Sequence, residues 1–150
     1  MKEFKKNKLQ VKIYETRSLM GAASADAAAA KIAELLETKE FINIVFAAAP
    51  SQHEFLSELR EKKLDWKRIN AFHMDEYVDV QKDAPQLFGN FLKKRIFERV
   101  PFRNVFYLDG EAADLKEECK RYAGLLKQYP TDIVFLGIGE NTHIAFNDPH

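Results

Sequence analysis

The sequence contains 150 residues, of which 46% are hydrophobic, so we expect a single domain over residues 1–150 with a sizeable buried core. Its 23 basic and 23 acidic side chains cancel, which argues against a nucleic-acid partner and against an acidic disordered tail. The one cysteine, Cys119, excludes an intramolecular disulfide, and no apolar run is long enough for a secretory signal or a membrane span, so we expect a soluble, cytoplasmic protein.

The first part of the chain alternates between predicted strands and helices. Apolar and polar residues alternate over 9–15, which indicates a half-buried strand, and an Ala-, Leu-, Lys- and Glu-rich stretch over 18–36 predicts a helix. The continuous apolar run over 42–49 predicts a strand that is buried on both faces. Ser51, with Glu54 three residues later, has the spacing of a capping box and predicts that a helix begins there.

The remaining sequence continues this alternation. Strands are predicted at 69–74, 104–108 and 132–139, and helices are predicted at 84–99 and 111–127. Pro85 is placed by this prediction in the first turn of its helix, where proline is tolerated.

This order of elements predicts an α/β fold, namely an open, mostly parallel, Rossmann-like sheet with helices on both faces. Parallel strands present ligand sites at their carboxyl ends. We therefore expect functional residues in the loops that follow Ala49, Met74 and Gly137.

The first of these loops leads from a strand directly into a helix. A helix N-terminus has unpaired N–H groups and the positive end of the helix dipole, which suits a phosphate, and Ser51 and Gln52 add polar side chains. The loop has no glycine-rich cradle. Taken alone, it favours the ordinary alternative of a strand-to-helix turn with a good cap.

The second loop contains two adjacent acids, Asp75 and Glu76, which point in different directions so that only one of them easily faces a ligand. A partly desolvated carboxylate at the end of a strand is suited to act as a general base. The alternative is an acidic turn or a helix cap. His73 alternates with apolar neighbours and is predicted to be a packing residue.

The third loop combines backbone flexibility with acid–base groups. Gly137 and Gly139 allow the backbone to approach a ligand closely, and His143 and Asp148 are near enough in sequence to form an oriented acid–base pair. The spacing of these two residues with Asp75 and His53 matches no zinc pattern, so no metal site is predicted.

Three motifs together resemble the glucosamine-6-phosphate deaminase/isomerase family: MDEY at 74–77, LDG-x-A-x-D at 108–114 and GIGENTHIAFNDP at 137–149. The resemblance runs from about residue 40 to the end, with the motifs in the family's order and spacing. It implies aldose–ketose chemistry on an amino-sugar phosphate with release of ammonia, and no metal or organic cofactor. It leaves self-association into a homo-oligomer open.

The resemblance also implies roles for particular residues. Asp75 matches the base that moves a proton between C1 and C2 of the sugar, and His143 matches the residue that opens the sugar ring, with Asn141 and Asp148 beside it as further catalytic residues. Asp148 stands in the place of a supporting Glu. The residues expected to bind substrate are Ala48, Ala49, Pro50, Ser51 and Gln52 of the phosphate turn, together with Glu76, Gly137 and Gly139.

The sequence departs from the family in three respects. Asn141 and Thr142 replace the usual Asp-Gly, so the charge that stabilises an imidazolium is lost and a β-branched residue stands where glycine adopts a positive φ. The phosphate turn differs from the family's usual Thr-Gly-rich form, which leaves galactosamine-6-phosphate open as the substrate. The family's C-terminal part, which carries basic phosphate-binding residues, is expected to be absent.

Two other functions stay open from the sequence. A non-catalytic sugar-phosphate-binding domain, or a truncated and inactive fragment, is consistent with Asn141 and Thr142 and with the expected absence of the family's C-terminal part. A 6-phosphogluconolactonase-like hydrolase is disfavoured by Tyr77, where lactonases carry arginine, and by IAFN at 144–147, which they lack.

Overall fold

The computed structural model describes residues 1–145 and 147–149, so that Phe146 of the third motif and the terminal His150 lie outside the described residues. The chain begins with β1 (Lys2–Lys6) and β2 (Leu9–Ile13), which pair only with each other, as an antiparallel ribbon. The strand predicted at 9–15 is therefore present, but its expected place in the parallel sheet is wrong. Alternating hydrophobicity identifies a strand without specifying its partner, and both faces of this ribbon are largely exposed.

Helix α1 (Arg17–Thr38) follows, close to its predicted bounds. The Thr16 hydroxyl caps it by accepting the Leu19 N–H at 3.2 Å. At Gly21 an added Cβ would lie 2.5 Å from Glu54 Cβ, so glycine permits close packing against the next helix. Helix α1 thus lies directly over the first predicted functional loop.

The central sheet has four parallel strands in the order β5-β4-β3-β6, which confirms the predicted α/β fold with a parallel sheet flanked by helices. In chain order, the remaining elements are β3 (Ile42–Phe46), α2 (His53–Arg60), β4 (Ile69–His73), α3 (Phe88–Leu92), β5 (Asn104–Phe106), α4 (Leu115–Gln128) and β6 (Ile133–Phe135). Helix α3 continues as a π-helical turn over Lys93–Phe97. No helix in the described part of the chain is long and apolar enough to cross a membrane.

Three predicted helix starts are wrong. The helix expected from residue 111 begins at Leu115. The helix expected from residue 84 begins at Phe88, and Pro85 lies in a turn before it. Ser51 does not cap α2, because Pro50–Gln52 forms a 3-10 turn and α2 starts only at His53, with no side-chain cap. The carboxylate of Glu54 is bound by Arg17 instead of completing a capping box.

A row of three amides, of which Asn43 and Asn70 are buried and Asn104 is exposed, aligns three of the parallel strands. The Asn70 side chain donates to Asn43 Oδ1 and accepts from Asn104 Nδ2, both at 2.8 Å, and the three residues face one another in register. A shift of one residue would leave the buried amides of Asn43 and Asn70 without partners, which is costly. The row therefore fixes the register that brings the carboxyl ends of the strands together.

Candidate functional site

The loops after β3, β4 and β6 enclose one pocket of about 200 Å³ at the carboxyl edge of the sheet. This convergence is what a parallel sheet predicts. The pocket walls include the following predicted site residues: Ala48, Ala49, Pro50, Ser51, Asp75, Gly137, Gly139 and His143. Gln52, Glu76, Asn141 and Asp148 do not line it.

The loop after β3 is a tight turn built around Pro50. The Gln52 N–H donates to the carbonyl of Ala49 at 2.9 Å, and the buried Gln52 amide lies 3.4 Å from Ser51 Oγ. An added Cβ at Gly137 would lie 3.5 Å from Ser51 Oγ, so the first and third loops are in contact. Gln52 is therefore placed behind the pocket wall and supports it.

Arg17 anchors this turn from α1, a contact that no sequence pattern indicated. One guanidinium nitrogen donates to the Pro50 carbonyl at 3.0 Å, and Nε and the same nitrogen bind the two oxygens of Glu54 at 2.9 and 2.8 Å. The hydrogen bonds from Arg17 are the main cause that lowers the pKa of Glu54 to about 2. Arg17 thus ties α1, the turn and α2 into one unit.

Asp75 stands just beyond the end of β4, half-buried in the pocket wall. Burial raises the pKa of the Asp75 carboxyl above its usual range, and the negative charge of Glu76 adds to this effect. His143 lies in the same pocket wall and acts on the pKa of Asp75 in the opposite direction. A carboxylate of raised pKa in a small pocket has the character of a general base.

Glu76 points away from the pocket and caps α3. Its Oε1 accepts the N–H groups of Tyr77 and Phe88, and its Oε2 accepts that of Gly89, each at 2.9 Å. This orientation gives no support to the predicted substrate contact. His73 is fully buried beside it, in agreement with its prediction as a packing residue.

His143 is held in a relay of three side chains. Its Nδ1 lies 2.6 Å from Asn141 Oδ1, and Asn141 Nδ2 donates to Asp148 Oδ1 at 2.9 Å. Since a carboxylate only accepts, Asp148 orients the Asn141 amide, and the amide oxygen then accepts the hydrogen of His143 Nδ1. In the neutral ring Nε2 is left as the nitrogen without a proton, which is the form that accepts one.

Gly139 makes room for the imidazole. An added Cβ at this position would lie 2.2 to 2.5 Å from three ring atoms of His143. The loop closes through hydrogen bonds of 2.9 Å from the Gly139 N–H to the His143 carbonyl and from the Thr142 N–H to the Gly139 carbonyl. Thr142 has a φ of 68°, as the comparison with a glycine position predicted.

The arrangement places a carboxylate and an oriented imidazole around a small pocket, next to a turn that precedes a helix. Proton transfer to and from a polar substrate is the chemistry that these groups perform. Among residues 1–145 and 147–149, no three His, Cys, Asp or Glu side chains are grouped so as to hold a metal ion.

These features define the class of protein: a Rossmann-like α/β protein with a pocket at the carboxyl edge of its sheet that is lined by a carboxylate and an imidazole. Residues 15–146 match the family of glucosamine-6-phosphate isomerases/6-phosphogluconolactonase, and the chain belongs to this family. The predicted family resemblance is thereby confirmed.

Relatives in sequence are glucosamine-6-phosphate deaminases. Those of Bacillus thuringiensis and Bacillus anthracis are each 38% identical over 125 residues, which is 83% of this chain and 48% of theirs. The chain therefore spans about half the length of the curated relatives it matches.

Two solved structures have a fold similar to that of this chain. A monomeric glucosamine-6-phosphate deaminase aligns over 91% of this chain and 58% of its own, with a TM-score of 0.78 and 27% identity. A 6-phosphogluconolactonase from Thermotoga maritima aligns over 84% of this chain and 59% of its own, with a TM-score of 0.75 and 27% identity.

Proposed function

We propose that the chain carries the acid–base part of an aldose–ketose isomerase/deaminase that converts glucosamine-6-phosphate or galactosamine-6-phosphate to a ketose phosphate and ammonia. The observation that carries the proposal is the placement of Asp75 and His143 in the walls of one pocket beside the turn at Ala48–Ser51. The 38% identity to glucosamine-6-phosphate deaminases supports the same chemistry.

Ring opening is assigned to His143. Its Nε2 accepts the proton of the C1 hydroxyl and returns it to the ring oxygen as the C1–O bond to that oxygen breaks, which yields the open-chain aldehyde. Nδ1–H stays hydrogen-bonded to Asn141, which keeps the ring in this orientation during both transfers. Asp148 holds the Asn141 amide, and its Oδ1 also lies 3.4 Å from His143 Nδ1.

Isomerisation is assigned to Asp75. The ionised carboxylate removes the proton from C2 while the substrate's ammonium group gives a proton to the C1 oxygen, so that an enol amine forms between C1 and C2. The carboxyl then delivers its proton to C1, which leaves an imine at C2. The amine then leaves C2 as ammonia while one water supplies the ketose oxygen, so the overall reaction is redox-neutral. The turn at Ala48–Gln52, just before α2, is assigned to the phosphate.

The test is an assay with glucosamine-6-phosphate and galactosamine-6-phosphate that follows ammonia and ketose phosphate together. Turnover is expected in wild type and a loss of about 100-fold or more in Asp75→Asn, since a general base contributes about 10²–10⁴-fold. Asp79→Asn is the matched control, because Asp79 is an exposed acid in the same loop and lies outside the pocket wall. Near-normal turnover in Asp75→Asn would show that the assigned base is wrong.

A second candidate is a non-catalytic sugar-phosphate-binding domain, favoured by the neutral Asn141 between His143 and Asp148. An amide orients the ring but adds no charge to stabilise an imidazolium. Calorimetry that detects binding of either sugar phosphate in a sample without ammonia release would favour this candidate.

Rapid hydrolysis of 6-phosphogluconolactone would favour the lactonase chemistry of the Thermotoga maritima neighbour.

A further inference from the structure

His73 and Glu76 flank Met74 and Asp75, and hydrogen bonds hold both of them in place. Three backbone N–H groups donate to the Glu76 carboxylate, whose side chain is only 8% exposed. The nearest side-chain group is Nε2 of His73, at 3.4 Å from Glu76 Oε2. The proton-transfer steps assigned to Asp75 and His143 use neither of these residues.

The hydrogen bonds of His73 determine which way its proton faces. The Leu108 N–H donates to Nδ1 at 3.2 Å, so in the neutral ring the hydrogen lies on Nε2 and faces Glu76. Burial lowers the pKa of His73 and keeps the ring neutral, against the opposing effect of the Glu76 charge. The Tyr122 hydroxyl also donates to the His73 carbonyl, at 2.6 Å, and so fixes the backbone at the end of β4.

The hydrogen bonds to the Glu76 carboxylate therefore come from three backbone N–H donors, and His73 Nε2 lies 3.4 Å from Oε2 without forming one. A protonated carboxyl needs an acceptor for its hydrogen, and an ionised one needs only donors. These hydrogen bonds and its burial hold the Glu76 carboxylate in one position, next to Asp75 in the chain.

We propose that Glu76 is a positioning residue for Asp75, which it serves by tying the segment after β4 to the start of α3 and by presenting a fixed negative charge beside the Asp75 carboxylate. The charge disfavours ionisation of Asp75 and makes the ionised form a stronger base. The inference deepens the proposed function, since it assigns the tuning of the base that the isomerisation requires.

The other charged groups near this pair are few. Asp75 interacts with Glu76 and with His143, and Glu76 interacts with His73. On its far side Glu76 borders a second cavity of about 310 Å³, whose wall also carries Lys82, Lys93, Asp109 and Glu111. Tyr107 lies in the same wall, and burial raises its pKa.

The test is an NMR titration of the Asp75 side-chain carbon in the 150-residue chain, assigned through Asp75→Asn. In Glu76→Gln the titration midpoint of Asp75 is expected to move to lower pH, because the neighbouring charge is gone. Glu118→Gln is the matched control: Glu118 is similarly buried and accepts the backbone N–H of Asp109, and Glu118 does not affect the pKa of Asp75. An Asp75 midpoint that stays in place in Glu76→Gln overturns the proposal.

Glu76→Asp separates the two parts of the role. The shorter side chain keeps the charge and cannot reach all three N–H groups, so the Asp75 midpoint is expected to stay near its wild-type value while kcat falls. A midpoint that moves as far in Glu76→Asp as in Glu76→Gln means that loop distortion, and not charge, is the cause.

Wild type alone supplies a third measurement that does not depend on a variant folding. Two-bond nitrogen–proton spectra of His73 are expected to show the neutral tautomer with the hydrogen on Nε2. The Nδ1–H tautomer would show that His73 presents no hydrogen to Glu76, so that the three backbone N–H groups alone hold its carboxylate. Because both titration and tautomer are read without substrate, a chain that lacks turnover still tests this inference, and its failure is distinct from failure of the isomerase assignment.

Discussion

Gly139 and His143 are packed so closely that no side chain fits between them: an added Cβ on Gly139 would lie 2.2 Å from Cε1 of the imidazole. The relay from Asp148 through Asn141 sets the rotation of this ring, and Gly139 sets its position. Position 139 is therefore a glycine because any side chain there would collide with the ring of His143.

Gly139→Ala is expected to lower kcat by about 100-fold, because a displacement of about 1 Å at a catalytic group costs on that order. Initial rates of ketose-phosphate formation measure it. Gly124→Ala is the control, since an added Cβ there meets nothing within 4 Å and the site is inside α4. That change is expected to keep the activity and to stabilise the helix by about 0.5–1 kcal/mol. Full activity in Gly139→Ala would show that His143 tolerates displacement or plays no part in turnover.

Thr142→Gly is expected to stabilise the protein. A β-branched residue with a φ of 68° is strained, and relief of about 1–2 kcal/mol exceeds the entropic cost of the extra glycine in the unfolded chain. The net gain is about 0.5–1 kcal/mol, visible as a rise in Tm of about 2–4 °C.

The control for this prediction is Asn7→Gly. Asn7 has a φ of 54°, and asparagine tolerates that region, so its replacement is expected to change Tm little. An equal rise in the Tm of both variants would mean that strain at Thr142 does not explain the stabilisation.

Asp75→Asn is expected to be more stable than wild type at neutral pH, although it loses its base. The pKa of Asp75 is raised in the folded state, so folding favours the protonated form, and the ionised carboxylate destabilises the fold above that pKa. The advantage of the variant should shrink as the pH falls through the raised pKa toward the ordinary value of 3.8. Denaturant unfolding from pH 3 to pH 8 measures the difference, and a constant gap across that range would contradict the prediction.

Arg17→Ala is expected to alter both binding and acid stability. The turn at Pro50 loses the contact that orders it, so KM for a sugar phosphate should rise more than kcat falls. Glu54, whose pKa is lowered to about 2, contributes stability above its ordinary value of 4.5 that disappears as the pH falls toward 2. Thermal unfolding between pH 2 and 6 should show this pH dependence flattened in the variant. Arg60→Ala removes an ion pair with Glu61 that joins no two elements, and it should leave KM unchanged.

Exchange of the two relay residues, N141D with D148N, tests the hydrogen-bond chain to His143. N141D alone places two carboxylates where an amide now donates at 2.9 Å, so repulsion is expected to lower kcat. The double variant restores a donor and an acceptor and puts the charge beside the imidazole, and it is expected to recover activity above N141D. A double variant no better than N141D would show that the relay does not act as a unit.

Several features of the fold were predictable because they depend on local patterns. Helix α1, the buried strands β3 and β4, and the position of the three loops follow from hydrophobic periodicity and from the geometry of parallel sheets. The ribbon of β1 and β2 and the late start of α3 at Phe88 were not predictable in this way, because pairing and capping depend on distant partners.

The sequence by itself determined the residue types of the site, their order and their family: Asp75 after one strand, His143 and Asp148 after another, and a turn before a helix. Only the tertiary structure decided their orientation. The Glu76 side chain points toward the start of α3 because its carboxylate accepts three backbone N–H groups. Arg17 donates to the Pro50 carbonyl from another helix. The orientation of each side chain depends on the donors and charges that the packed elements bring within hydrogen-bonding distance. The spacing of residues in the sequence does not contain this information.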